Sequence, residues 1–380
     1  MIVRTVCLFL TSLLMFVHFT ASGGGKTRCL LVGCDEFVSM PATAPASANN
    51  TGAMEEVLRD FLPGEVTVRR AVNGPGTKEG LKELIRETFR DANEADVALV
   101  YFSTHGILFS EDGNRHMALL LSDGKNEERL EPEELRELLD GIPGRKVLIL
   151  DACHSGAMIG AGAEDFVNRF RALNYRVLVS CGTDEDSWFW SAETDAYTGT
   201  GYFTAALENA LRASDPEQID PDGNRAVNLE ELTERLREIH GASTVYCWPE
   251  KSREPLFRLP EDRKAEDRLR GVAFGEAEKD GEALILPLHF RAEEPVKLMY
   301  QLVPKYKGQW DFANAVKLPD RERTGVVRGL ISPGEKDRKI RLTRQSMGEE
   351  GEALLQIISL RGEGQTPATE AGRVIRMTEY

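Results

Sequence analysis

Apolar residues fall along this chain in two alternating patterns. Short, nearly continuous runs at Arg28–Val32, Glu94–Phe102, Arg145–Leu150 and Val177–Ser180 are bounded by polar residues and glycine. Runs of this kind predict central parallel strands buried on both faces. Between them, apolar positions recur every three or four residues: Met54, Val57, Leu58, Phe61 and Leu62; then Leu81, Leu84, Ile85 and Phe89 behind a Thr77 cap; then Leu135, Leu138 and Leu139. Phe203–Leu211 and Leu229–Ile239 repeat the spacing, and each stretch predicts a helix lying on the sheet. The βαβα order implies an α/β fold with a mostly parallel sheet and right-handed crossovers.

The pattern changes near residue 261. A charged stretch, Glu261–Arg268, leads into β-rich sequence at Ala283–Leu286, Val296–Leu302, Val326–Ile331, Lys339–Thr343, Leu354–Leu360 and Arg373–Met377, with no long helical period. A smaller all-β domain, of the sandwich type, is expected over 261–380. It holds no cysteine and one histidine, His289, so catalysis is expected to lie before it. At the other end, Met1–Arg4 is a charged start, Val6–Phe19 an apolar core and Thr20–Gly23 a run of small residues. This predicts a cleaved signal peptide over 1–24 and a secreted or extracytoplasmic protein. The apolar segment is shorter than the roughly 20 residues that span a bilayer, so no stable membrane span is expected after removal. Residues 25–260 are left as the main domain.

Charge and cysteine content narrow the chemistry. With 47 basic and 62 acidic residues the net charge is −15, which argues against nucleic acid, whose recognition needs a concentrated basic surface. A cationic substrate would be attracted over long range. Of six cysteines, Cys7 lies in the signal segment; the odd number remaining, with no Cys-x-x-Cys spacing, fits a free thiol better than a disulfide frame or a zinc site. The pattern is silent on oligomeric state.

Two blocks follow apolar runs directly: Ser103-Thr104-His105-Gly106, and Asp151-Ala152-Cys153-His154-Ser155-Gly156. In open α/β sheets, ligands bind beyond the carboxyl ends of the strands, where His105 and Cys153 both fall. A thiol is only slightly ionised at neutral pH, and a nearby imidazole can serve as its base. The pair therefore reads as a catalytic dyad for acyl transfer, with the backbone N–H groups of Gly106 and Cys153 as oxyanion donors. His154 and Ser155 read as residues that shape the loop after the nucleophile.

These blocks resemble the caspase and metacaspase superfamily of cysteine endopeptidases, in its bacterial form. Asp-Ala-Cys-His-Ser-Gly is the metacaspase wording, while Ser-Thr-His-Gly stands where the family more often has Ser-Gly-His-Gly. Leu30–Gly33 and Gly201–Thr204 resemble further family blocks, so the likeness covers roughly residues 27 to 260. The spacing between His105 and Cys153 is close to that of the caspases. The resemblance implies a caspase-like three-layer α-β-α sandwich, a thioester acyl-enzyme and a protein or peptide substrate. It also implies that Asp151 lines an acidic pocket for Arg or Lys at the cleavage site, with Asp184 as the second carboxylate; two such acids would favour a cation and reject an acidic side chain. The alternative for both is a turn cap and a solvated loop. Family members are often cut after the nucleophile segment, where Arg169 and Arg171 are the basic residues, here on a stretch with helical spacing. A catalytically silent caspase-like scaffold acting through its β-rich domain is the competing class, against which the retained dyad and acids weigh.

No cofactor is required by this chemistry. One stretch nevertheless has the form of a calcium loop: Asp220, Asp222, Asn224, Asn228 and Glu231 occupy positions 1, 3, 5, 9 and 12, although Arg225 takes the place of the usual glycine. The same residues also read as a polar turn followed by an Asn228/Glu231 capping box.

Overall fold

A computed structural model describes residues 25–40, 46–192, 195–212, 216–240 and 242–260, and the strands and short connections between 272 and 376. The expected signal segment, 1–24, and the charged stretch 261–268 lie outside these residues. In chain order the first elements are β1 (Thr27–Gly33), α1 (Ala46–Phe61), β2 (Val66–Val72), α2 (Lys78–Thr88), β3 (Val97–Ser103), β4 (Gly106–Glu111), β5 (Asn114–Ser122), β6 (Glu127–Leu130), α3 (Pro132–Asp140) and β7 (Arg145–Asp151). There follow β8 (Tyr175–Val179), β9 (Phe189–Ala192), β10 (Asp195–Gly201), α4 (Tyr202–Arg212), β11 (Ala226–Asn228), α5 (Leu229–Ile239), β12 (Tyr246–Trp248) and β13 (Pro255–Arg258).

Six strands form the central sheet in the order β12-β8-β7-β3-β1-β2. All neighbours are parallel except β12, which closes one edge antiparallel to β8. Alternation along each strand explains why the apolar runs are unbroken: Cys29 and Leu31 point into one core, Leu30 and Val32 into the other. The first core is completed by α1, α4 and α5 through Met54, Leu58, Phe203, Leu207, Leu232 and Leu236. The second is completed by α2, α3 and the small β4-β5-β6 sheet through Leu81, Ile85, Leu135, Leu139, Met117 and Leu119. The result is the expected three-layer sandwich.

The caps form as the sequence indicates. Thr77 accepts the Gly80 amide at 3.1 Å ahead of α2, and Asn228 and Glu231 make a reciprocal capping box ahead of α5. Helix α1 begins where the buried Asp35 carboxylate accepts the amides of Ser47 and Ala48, both at 2.8 Å.

Two regions differ from the hydropathy pattern. The β4-β5-β6 sheet was not anticipated, although Asp112-Gly113 is a strong hairpin signal: φ is +49° and +80° at these two residues, as a tight two-residue turn requires. The helical spacing around Arg169 and Arg171 does not produce a helix. After a short 3-10 turn at Ser155–Ile159 the chain runs irregularly to β8. Gly160 and Gly162 take left-handed φ values there, and the Asn168 side chain accepts the Phe170 amide at 2.7 Å, a local bond that competes with a helical one.

The C-terminal strands are β14 (Val272–Phe274), β15 (Glu278–Asp280), β16 (Ala283–Phe290), β17 (Lys297–Tyr306), β18 (Gln309–Trp310), β19 (Arg328–Ile331), β20 (Asp337–Leu342), β21 (Glu352–Leu360) and β22 (Ala368–Arg376). They pair antiparallel in two sheets, one built on β16 and the other on β17 and β21.

Candidate active site

Strands β3 and β7 are parallel neighbours, and their register sets the site. Val97 lies opposite Arg145 and Ser103 opposite Asp151, an offset of 145 − 97 = 48 residues held along the whole pair. His105 and Cys153 are each two residues past the last pair, and 153 − 105 is the same 48. The spacing seen in the sequence is thus the register of two strands. Beyond the pair, the Thr104 amide still bonds to the Asp151 carbonyl at 3.3 Å, and the His105 carbonyl accepts the Leu120 amide at 2.9 Å.

His105, Gly106, Asp151 and Cys153 line one cavity of about 720 Å³, together with Asn50, Asp186, Ser187, Trp188 and others. Gly106 is pressed so closely on the nucleophile segment that a Cβ there would fall 1.8 Å from the Cys153 carbonyl oxygen. Only glycine lets these two backbones meet. The His105 ring is packed by Phe37, with ring centroids 4.5 Å apart.

The Cys153 thiol is held by the connection after β8. Ser187 donates its amide to Sγ at 3.3 Å and accepts from Sγ through its carbonyl at 3.4 Å. Burial, and next the negative charge of Asp186, push the thiol pKa up, so the resting group is S–H rather than thiolate. Chemistry at this sulfur therefore needs a base to take the proton at the moment of attack. The Ser187 N–H works in the opposite direction, as a donor to the thiolate.

His154 sits in a left-handed conformation, φ +61°, directly after the cysteine. Its amide donates to the Glu185 carbonyl and its Nδ1 lies 2.9 Å from the Thr183 carbonyl, while Nε2 is 3.7 Å from Asp186. It ties the nucleophile turn to the β8–β9 connection, the shaping role expected of it. Gly156 packs on Gly182 and Thr183 so tightly that a Cβ would approach the Thr183 nitrogen to 2.6 Å.

The two expected pocket acids are placed differently. Asp151 forms part of the cavity wall, only 6% exposed. It accepts bonds from Thr204 Oγ1 at 2.6 Å, Ser187 Oγ at 2.7 Å and Asn50 Nδ2 at 3.3 Å. Burial raises its pKa, and the Thr204 and Ser187 hydroxyls oppose the rise. Asp184 is not brought to it. That carboxylate lies outside the cavity and pairs with Arg115, which also binds Asp165. Asp186, two residues on, lines the cavity instead. Glu185, between them, turns inward to accept the Gly182 amide at 2.8 Å and the Thr244 amide at 2.9 Å. Once Glu185 is committed inward, its two neighbours part company, a feature that strand periodicity does not reveal.

Sequence reasoning also missed Asn50 on α1. Its side chain donates to Ser103 Oγ at 3.0 Å and to Asp151, and accepts the Gly201 amide at 2.8 Å. A Cβ on Gly201 would fall 2.5 Å from both the Asn50 and the Asp151 side chains. The placement of Asn50 on the inward face of a helix next to the sheet end was the available signal.

The calcium-like loop is separate from this cavity. Carboxylate oxygens of Asp220, Asp222 and Glu231 lie within 4.8 Å of one another, and Arg225 adopts φ +64° at the position usually held by glycine. Asp220 already accepts the amides of Asn224 and Arg225, and Glu231 that of Asn228.

The sequence profile of the caspase domain matches residues 26–248. No curated protein matches the chain significantly. Among solved structures, a Geobacter sulfurreducens protein is similar at 15% identity and TM-score 0.43, with 62% of this chain and 97% of that one covered. Caspase-1 of Spodoptera frugiperda aligns at 17% identity and TM-score 0.36, covering 56% and 77%. A secreted C11 cysteine protease of Bacteroides thetaiotaomicron aligns at 14% identity and TM-score 0.32, covering 50% and 54%.

Proposed function

The chain belongs to the caspase-domain family of cysteine peptidases, and from that premise we propose that it is a cysteine endopeptidase working through His105 and Cys153. One observation supports the reading: His105 and Cys153 each follow the end of the β3/β7 pairing by two residues, and both line one cavity. The protonated Cys153 thiol gives its proton to the His105 imidazole as sulfur attacks the peptide carbonyl carbon. The carbonyl oxygen becomes an oxyanion, met by the backbone N–H groups of Gly106 and Cys153. His105 then returns the proton to the leaving amine, the C–N bond breaks, and a thioester remains on Cys153. Water, deprotonated by His105, releases the acid product and restores the thiol.

Preference for Arg or Lys at the cleavage site is part of the proposal. Asp151 and Asp186 line the cavity, and no Arg or Lys among its described lining residues offers a partner for an acidic side chain. Export is included on the strength of the Met1–Gly23 pattern; mass spectrometry of the mature protein should find it shortened by about 24 residues. Among the described residues, no helix is long and apolar enough to cross a membrane.

Paired fluorogenic peptides, identical but for Arg or Asp at the cleaved position, test the function. Turnover of the Arg peptide, lost in Cys153→Ala and His105→Ala, is expected. An inert wild-type protein, assayed with reductant and with or without calcium, would support a silent scaffold instead.

A further inference from the structure

Glu127, the first residue of β6, lies outside the motifs and on the strand farthest from β4 in its small sheet. Its carboxylate nevertheless reaches the turn after β1. Oε2 accepts the Val38 amide at 2.7 Å and the Ser39 amide at 3.3 Å, and Oε1 accepts the Ser39 hydroxyl. The residue before these, Phe37, is the one whose ring packs on the His105 imidazole. One carboxylate thus fixes the backbone that aims a ring at the proposed base. Met40, Ile107 and Leu108 line both the active-site cavity and a second cleft that contains Glu127, so the two spaces share a wall.

The electrostatics agree with the geometry. Burial works to raise the Glu127 pKa, but the Ser39 and Val38 bonds and the neighbouring His105 charge hold it below the usual carboxylate range. Glu127 is therefore an anion near His105, and an anion favours the imidazolium over the neutral ring. Other titratable groups line the same cavity as His105, from the end of β1 (Cys34), the end of β7 (Asp151 and Cys153), the turn after it (His154) and the β8–β9 connection (Asp186), and Glu128 and Arg129 line the adjoining cleft beside Glu127.

We propose that Glu127 is a positioning residue for His105: it pins the Phe37–Ser39 turn against the imidazole and supplies the negative charge that supports the protonated ring after it has taken the thiol proton. The proposal builds on the peptidase reading but concerns a property of His105 that can be measured without turnover. Glu127 would do for the base what an orienting carboxylate does in other nucleophile–base pairs, here through the packing of Phe37 and the field of its charge.

The test uses the full chain carrying Cys153→Ala, with the His105 ring protons followed by NMR as pH is varied. Glu127→Gln keeps an oxygen acceptor for the Val38 and Ser39 amides and removes only the charge. The His105 midpoint is expected to fall by roughly half a pH unit, about a threefold loss of proton affinity, the scale of one partly screened carboxylate. In the active enzyme, the acid limb of the kcat/KM profile should move down by the same amount. Glu127→Ala removes the acceptor as well and should also lose the close Phe37–His105 ring-current shift. Asp186→Asn serves as a comparison for the other nearby carboxylate. An unchanged His105 midpoint in both Glu127 variants, or a fall seen only in Asp186→Asn, would overturn the assignment. An inactive parent enzyme with a shifted midpoint would refute the peptidase reading and leave this one standing.

Discussion

The ends of β3 and β7 and the connection after β8 meet at the same cavity, yet they owe their geometry to different physics. The strand ends inherit their placement from a ladder of backbone hydrogen bonds, in which residue n faces residue n + 48 from Val97 to Ser103. Two residues past such a ladder there is little freedom left, and Gly106 and Cys153 pack backbone to backbone. The connection after β8 has no ladder. Its course from Ser180 to Trp188 is set by scattered backbone bonds, such as the His154 amide to the Glu185 carbonyl, and by side-chain bonds: Glu185 to Gly182 and Thr244, His154 to Thr183, Ser187 to Asp151 and the cysteine sulfur. Reactive groups placed by a ladder are predictable from spacing. Groups placed by side-chain bonds are not, and a shift of two residues exchanges a cavity acid for a surface ion pair.

The largest effect should come from disturbing the ladder end. Gly106→Ala puts a methyl group where the Cys153 carbonyl already lies, forcing the two backbones apart. Loss of about 10²–10³-fold in kcat is expected, the scale of losing an oxyanion donor, with the central fold retained by circular dichroism. A variant as active as the parent would show that the close approach is irrelevant to catalysis.

Next comes the contrast within the connection. On an Arg peptide, Asp186→Asn should lower kcat/KM by about 10-fold or more, as for loss of a charge-assisted bond, while Asp184→Asn should stay within about twofold because its carboxylate is spent on Arg115 outside the cavity. The reverse ranking would restore Asp184 as the pocket acid.

A smaller effect is expected in stability. Burial raises the Asp151 pKa, so the folded chain binds that proton more readily than the unfolded chain does. For this sign, stability is greatest below the unfolded carboxyl value and falls as pH rises through the folded one. Asp151→Asn removes the buried charge and keeps one of the two oxygens that accept the Thr204 and Ser187 hydroxyls. The variant's Tm, measured against the parent, should therefore gain more at pH 7.5 than at pH 4, while turnover of basic substrates drops. A Tm difference independent of pH would mean that the Asp151 charge costs nothing in the fold.

Legibility in the sequence follows the same division. Continuous runs such as Leu30–Val32 and Val147–Leu150 reveal the sheet because each of their residues is buried on one face or the other. The helices α2 and α5 are legible to their caps, at Thr77 and Asn228. His105 and Cys153 are legible because they sit just past those runs. The β4-β5-β6 sheet escaped notice despite its Asp112-Gly113 turn, since Ile107–Phe109 is too short to stand apart from the histidine block. The stretch around Arg169 misled because Phe166 and Phe170 have helical spacing, whereas Phe170 is buried by packing on Tyr175, with ring centroids 5.3 Å apart, and not by a helix. Asn50, Asp186 and Glu127 escaped because their partners are 32 to 151 residues away in the chain, at Gly201, His154 and the turn after β1.

Covalent labelling of Cys153 tests the central claim most directly. A basic peptide carrying a thiol-reactive carbonyl at its cleavage position, incubated with the wild type and with His105→Ala, should give one adduct at Cys153 by mass spectrometry, formed at least about 100-fold more slowly in the variant because the protonated thiol has lost its base. Equal rates in the two proteins, or an adduct at a cysteine other than Cys153, would contradict the account.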